Sequence, residues 1–137
     1  MILDSPVTLT QYGPLADLGT IDELAAQTGP PAIFTLVGYG AQDTVPVYVP
    51  EPTRYTATVW MRSQRSALTR DYYTQYSSTA KSGGMCFGDS GGPVFLPGTS
   101  AIVAVNSYVM NGNCAGSGWG YRVDTERSQE FIEQYLP

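Results

Sequence analysis

Residues 32–37, 45–49, 54–61, 93–96, 101–108 and 120–123 form short runs rich in β-branched and aromatic side chains, parted by Gly, Pro, Asn and Ser. That spacing predicts an antiparallel barrel or sandwich. In the third run Thr56, Thr58 and Trp60 alternate with Ala57, Val59 and Met61, the period of a strand with two differently solvated faces. The prolines and glycines fall mostly between the runs, where they turn the chain without interrupting a ladder.

Helical spacing is found at the end of the chain, where Phe131, Ile132, Tyr135 and Leu136 recur over about 125–136. Asp124 or Thr125 can serve as its N-cap and Glu126 suits its first turn. This helix is expected to lay one apolar stripe on the β-structure. Residues 20–27 offer a helical turn starting at Thr20, with Glu23 as its capping-box partner. The pattern over 66–75 is unclear. No repeat, low-complexity segment or linker breaks the chain, so residues 1–137 read as a single domain.

With 137 residues, 42% hydrophobic and 14% charged, the chain has the size and apolar content of one compact domain. Seven Lys and Arg against twelve Asp and Glu give a net charge of −5, and no stretch gathers basic residues on one face. This argues against a nucleic-acid or anionic-membrane partner. The longest apolar stretch, 101–105, is far shorter than a membrane span, and the opening residues lack the basic start and the length of a signal peptide. A soluble protein is expected.

Histidine is absent, which removes the commonest general base and the commonest metal ligand. Any chemistry that needs an imidazole must borrow it from another chain. Cys86 and Cys114 have no zinc-type spacing, so neither a metal nor a cofactor is expected. The two can form one bridge, worth roughly 3 to 4 kcal/mol on a chain-entropy estimate, and a bridge points to an oxidising, extracellular setting.

Gly88-Asp89-Ser90-Gly91-Gly92-Pro93 is the most informative run. Glycines on both sides of a serine let the backbone turn tightly, so that the hydroxyl projects while neighbouring N–H groups converge beside it. An activated nucleophile and its oxyanion hole require this, although a Gly-rich turn with an incidental serine reads the same way. In its wider setting the run resembles the chymotrypsin-like (trypsin-fold) serine proteases, in which these six residues surround the nucleophile. Cys86 and Cys114 match the bridge that joins the two walls of that family's primary specificity pocket. Residues 102–108 resemble the strand ending in the family's Ser-aromatic pair, and Gly38-Tyr39-Gly40 is similar to its Gly-Trp-Gly strand. Ile2-Leu3-Asp4-Ser5-Pro6-Val7 looks like the inter-barrel segment that follows the catalytic aspartate.

The resemblance implies an all-β fold, a six-stranded antiparallel Greek-key barrel with a C-terminal α-helix. It implies the C-terminal barrel alone, since in this family the first barrel carries the His and Asp of the triad. Ser90 would be the nucleophile, with the N–H groups of Gly88 and Ser90 as the oxyanion hole. Asp89 would be structural; its family partner is the amino terminus freed by zymogen cleavage, so here it is expected to be unpaired. Ser107, Tyr108 and Val109 would pair with an extended substrate, or form a plain edge strand in an isolated barrel.

Gly84 stands where a trypsin-like enzyme carries an aspartate, so no charge awaits Lys or Arg. With Met85, Phe87, Val109 and Gly118 it implies an elastase-like pocket for small or medium apolar side chains. Either Gly118 or Trp119 can be registered on the far wall, and Met85 and Trp119 read equally as core. Lys81, the only lysine, reads as a solvated surface residue rather than a substitute base. The functional expectation is the nucleophile-bearing half of a secreted serine endopeptidase acting on protein or peptide substrates. It would need an N-terminal His- and Asp-bearing barrel, or self-associate through the face left open, and be inactive alone. The alternative is a pseudoprotease that serves as a protein-binding module.

Overall fold

The computed structural model of the chain describes residues 4–45, 47, 49, 53–63 and 69–136. Six strands, β1 (Ile33–Gly38), β2 (Tyr55–Ser63), β3 (Tyr73–Ser78), β4 (Pro93–Phe95), β5 (Ile102–Val109) and β6 (Gly116–Arg122), close into an antiparallel barrel. The order is β1-β2-β3-β6-β5-β4, and β4 returns to pair with β1. Helix α1 (Thr20–Ala26) precedes the barrel and α2 (Glu126–Glu133) follows it. Closure leaves no sheet edge and decides between barrel and sandwich. The alternation in β2 is as expected: Val59 is buried and Ala57 and Met61 half-buried, while Thr56, Thr58 and Trp60 face water. Phe34, Leu36, Val59, Tyr76, Val94, Val103 and Ala104 fill the interior together with Met85, which comes from the loop before β4.

Residues 45–49 are not a barrel strand. Val45 and Val47 are exposed bends and Val49 only bridges Asp43; residues 46 and 48 lie outside the described residues. The missing strand is β3, which begins inside the unclear stretch, of which 66–68 also lie outside the described residues. Its sequence looks polar because it buries Thr74, Ser77 and Ser78, and the two serine hydroxyls are bonded. Ser77 Oγ accepts from the Trp60 N–H at 3.0 Å, and Ser78 Oγ donates to the Cys114 carbonyl at 2.5 Å. Strand β6 starts at Gly116 rather than at residue 120. Its early half is disguised by glycines, and at Gly118 a Cβ would overlap Met85 and Tyr76.

Both helix ends differ from expectation. The capping box of Thr20 and Glu23 is not made: Gly19 caps α1 in the left-handed region at φ 77°, and Thr20 Oγ1 donates to the Asp17 carbonyl. The cap comes instead from the far end of the chain, where Asp124 Oδ2 accepts the Ile21 N–H at 2.7 Å. Arg122 joins the set, donating from Nε to Asp124 Oδ1 at 2.9 Å and from Nη2 to Asp22 Oδ2 at 2.7 Å. Burial opposes the charge on Arg122, but its bonds to Asp124 and Asp22 outweigh this and hold the guanidinium above its ordinary pKa. Thr125 caps α2 by accepting the Ser128 N–H. The apolar stripe is not laid on the barrel: Phe131, Tyr135 and Leu136 are 61%, 58% and 59% exposed. Ser128 is the buried residue, its Oγ donating to the Arg122 carbonyl at 2.7 Å, so α2 is seated by a polar contact.

Candidate active site

The Ser90 turn is shaped by glycines in the left-handed region, Gly88 at φ 97° and Gly91 at φ 87°. It is clamped to β5 by two backbone bonds of 2.8 Å, Gly91 N–H to the Asn106 carbonyl and Asn106 N–H to the Gly92 carbonyl. Ser90 is exposed, and its Oγ donates to the Ser107 carbonyl at 3.0 Å. That acceptor is supplied by a β-bulge: Asn106 pairs with Gly120 and Tyr108 with Trp119, leaving Ser107 as the extra residue. The N–H groups of Gly88 and Ser90 have no acceptor among the described residues, whereas the Asp89 N–H between them bonds the Cys86 carbonyl at 3.1 Å.

Asp89 is not unpaired. Its Oδ1 accepts from the Gly40 N–H and its Oδ2 from the Cys86 N–H, both at 2.8 Å. Two backbone donors satisfy the carboxylate without an ammonium partner. The Gly38-Tyr39-Gly40 sequence is explained by the same contact, because a Cβ at either glycine would overlap the Asp89 carboxylate. Behind it, the Tyr76 hydroxyl donates to Asn106 Oδ1 at 2.6 Å, so a buried polar pair supports the strand that holds Ser90. Burial, and then the charge of Asp89, push the Tyr76 phenol above its ordinary pKa.

The Cys86–Cys114 bridge is formed, with Cα atoms 5.3 Å apart. Gly84 is half-buried against Ser78, whose side chain a Cβ at Gly84 would overlap. Met85 is a core residue, 2% exposed, and occupies the space in front of Gly118 next to Tyr76. Val109 packs against both the disulfide and the barrel core. Met85 fills the space in front of Gly118 and, with Gly84, Cys86 and Cys114, also lines an open cleft of 480 Å³ between the expected pocket walls. The register is also decided: Gly118 pairs with Val109 and turns inward, while Trp119 stacks on Tyr108 with ring centroids 5.1 Å apart. Tyr108 meets Tyr73 edge-on at 5.3 Å, and burial, then Tyr73, raise its pKa. Phe87 is 46% exposed beside the turn, and Lys81 is exposed in the tight turn closed by Thr79 and Gly83.

A cleft of 630 Å³ that includes Ser90 but none of Ser107–Val109 is bordered by Tyr39, Arg54, Thr56, Gly88 and Phe95. A cavity of 760 Å³ sits away from the serine, beside Arg122, Asp22 and Asp124. Sequence reasoning missed the roles of the Gly40 N–H, the Ser107 carbonyl and Ser78. Only the first left a signal, the glycine pair flanking Tyr39.

The Trypsin family matches residues 1–132. The structure is similar to human heparin binding protein, with a TM-score of 0.65 and 20% identity over 98% of this chain and 56% of that one. An atomic-resolution structure of HBP gives a TM-score of 0.69 and 19% identity, over 98% of this chain and 57% of that one. The chain therefore spans a little over half the length of these structures, and at such identities the likeness is one of fold. No curated protein matches the chain.

Proposed function

Because the chain belongs to the Trypsin family, we propose that it is the nucleophile-bearing barrel of a serine endopeptidase whose histidine and aspartate sit on a separate N-terminal barrel. The observation that carries this reading is an exposed Ser90 hydroxyl flanked by two N–H groups, of Gly88 and Ser90, that have no acceptor among the described residues. Those donors suit the oxyanion of a tetrahedral intermediate. The supplied histidine would draw the Ser90 proton away from the Ser107 carbonyl as Oγ attacks, and would return it to the departing amine. Asp89 holds the turn in shape through Gly40 and Cys86. With no acid at Gly84 and Met85 on its lining, the acyl-side cleft of 480 Å³ suits a small or medium apolar side chain. The exposed Phe131, Tyr135 and Leu136 offer a face for the second barrel or for self-association. The disulfide and the family together support a secreted protein.

A second reading, a protein-binding module, is favoured by the Ser90 hydroxyl resting on a carbonyl. Reaction with a serine-directed fluorophosphonate, read by intact mass with and without the N-terminal barrel, tests the choice. Stoichiometric labelling at Ser90 that disappears in Ser90→Ala is expected. That variant should fold normally, because it loses only one exposed hydrogen bond. No labelling in either state would overturn the enzyme reading in favour of the module.

A further inference from the structure

We infer that the cleft beside Ser90 is a subsite for a carboxylate on the leaving-group side of the scissile bond, and that Arg54 is its specificity-determining residue. The inference rests on the enzyme reading for its direction. On that reading Ser107, Tyr108 and Val109 form the acyl side, and none of them borders this cleft, although Ser90 and Gly88 do. A peptide crossing Ser90 from the acyl side therefore delivers its departing segment here.

Two charged side chains border the cleft, and they are not equivalent. Asp89 has both carboxylate oxygens engaged by backbone N–H groups, so it attracts little. Arg54 is exposed and has no hydrogen-bond or ion-pair partner among the described residues. Three other arginines are committed elsewhere, Arg122 to Asp22 and Asp124, Arg62 to the Gly116 carbonyl, and Arg127 to the face of Tyr72, and Arg70 borders the separate cavity beside Asp22. Between Arg54 and the serine the border is mostly uncharged, with Val37, Pro93 and Phe95 as apolar wall. An apolar residue followed by a carboxylate fits that order of surfaces. The chain carries a net charge of −5, so its overall field repels acidic peptides and any preference for them must come from a local cation. A guanidinium is suited to the task, since it grips a carboxylate through two parallel N–H donors.

The carboxylate has two sources, an Asp or Glu side chain or a free chain terminus. Binding of acetylated peptides to the full chain tests the inference and distinguishes them, with amide shifts of Gly88, Ser90 and Thr56 locating the site. The set holds an apolar residue followed by Asp, Asn or Lys, each amidated at the C-terminus, and the Asn peptide with a free terminus. The Asp peptide, the free-terminus peptide or both should bind roughly five- to tenfold tighter than the amidated Asn peptide, and which of them does identifies the source. The advantage should shrink in about 0.5 M salt, vanish in Arg54→Ala and pass to the Lys peptide in Arg54→Glu. Arg54 is exposed, so these variants are expected to fold. Equal binding of charged and neutral peptides, or a preference that survives Arg54→Ala, would overturn the inference. The assay needs no reacting serine. Labelling of Ser90 without a charge preference overturns the role of Arg54 and leaves the enzyme reading intact. A preference lost in Arg54→Ala without labelling upholds carboxylate binding by Arg54 and overturns the enzyme reading.

Discussion

Replacing Asp89 by asparagine removes the acceptor that joins the Ser90 turn to the end of β1. In the native chain each carboxylate oxygen takes one backbone N–H at 2.8 Å, from Gly40 and from Cys86, both buried residues. Asparagine retains one acceptor oxygen but turns an NH₂ group toward the other donor, so one charge-assisted bond is lost and one buried N–H is stranded. Such a bond is worth about 1.5–3 kcal/mol and a stranded donor costs about 1–3 kcal/mol, descriptions of largely the same loss, so we expect Asp89→Asn to destabilise by about 1.5–3 kcal/mol. Urea unfolding followed by tryptophan fluorescence reads this directly, with an unchanged m-value showing that the native state stays compact. Gly40→Ala places a Cβ against the same carboxylate and should cost a similar amount. The two changes together should cost less than their sum, because they break one contact. A loss below about 0.5 kcal/mol for Asp89→Asn, the range of ordinary surface changes, would refute the idea that this carboxylate holds the turn.

Tyr76 has a folded-state pKa above the ordinary value of about 10, so its contribution is fully present below that pH and is lost as pH rises through the higher folded value. Unfolding free energy should fall above about pH 10, by up to about 1.4 kcal/mol per pH unit for this one proton, and less steeply in Tyr76→Phe; equal slopes in the two proteins would refute it. Met85→Ala should cost about 2–5 kcal/mol in urea unfolding. If the site reacts as proposed, the change should also raise labelling of Ser90 by phosphonates with larger apolar groups, and unchanged selectivity would show that Met85 does not limit the pocket. Reducing Cys86–Cys114 should lower stability by roughly 3–4 kcal/mol, seen as a lower thermal midpoint with reductant present.

The strands with apolar inner faces were legible because burial and sequence agree in them: Phe34 and Leu36 in β1, Val59 in β2 and Val103 in β5 are apolar and buried. Strand β3 was hidden because Thr74, Ser77 and Ser78 are buried polar residues, and pattern reading takes such residues for surface. Ser77 and Ser78 are tolerated there through partners on distant segments that no local rule anticipates. The apolar stripe of α2 was read correctly as a pattern and wrongly as a contact, since periodicity shows which face is apolar but not what meets it. At the site, the Ser90 turn was legible because its glycines are backbone requirements written in the residues themselves. The Ser107 carbonyl was not, for a bulge adds a residue to a strand without changing its composition.

The cap on α1 also sets an order of events in synthesis. The Ile21 N–H is held by a carboxylate 103 positions later, and Asp22 by a guanidinium 100 positions later. A helix of seven residues is too short to persist unaided in water. On the ribosome, α1 must therefore wait for the end of β6 to emerge, and β3, which can pair with β2 earlier, lacks its second partner until then. The fold is completed only once Arg122 and Asp124 have emerged. A nascent chain released before Asp124 would leave the first helix without its anchor and the barrel without its closing strand secured, a form open to proteolysis.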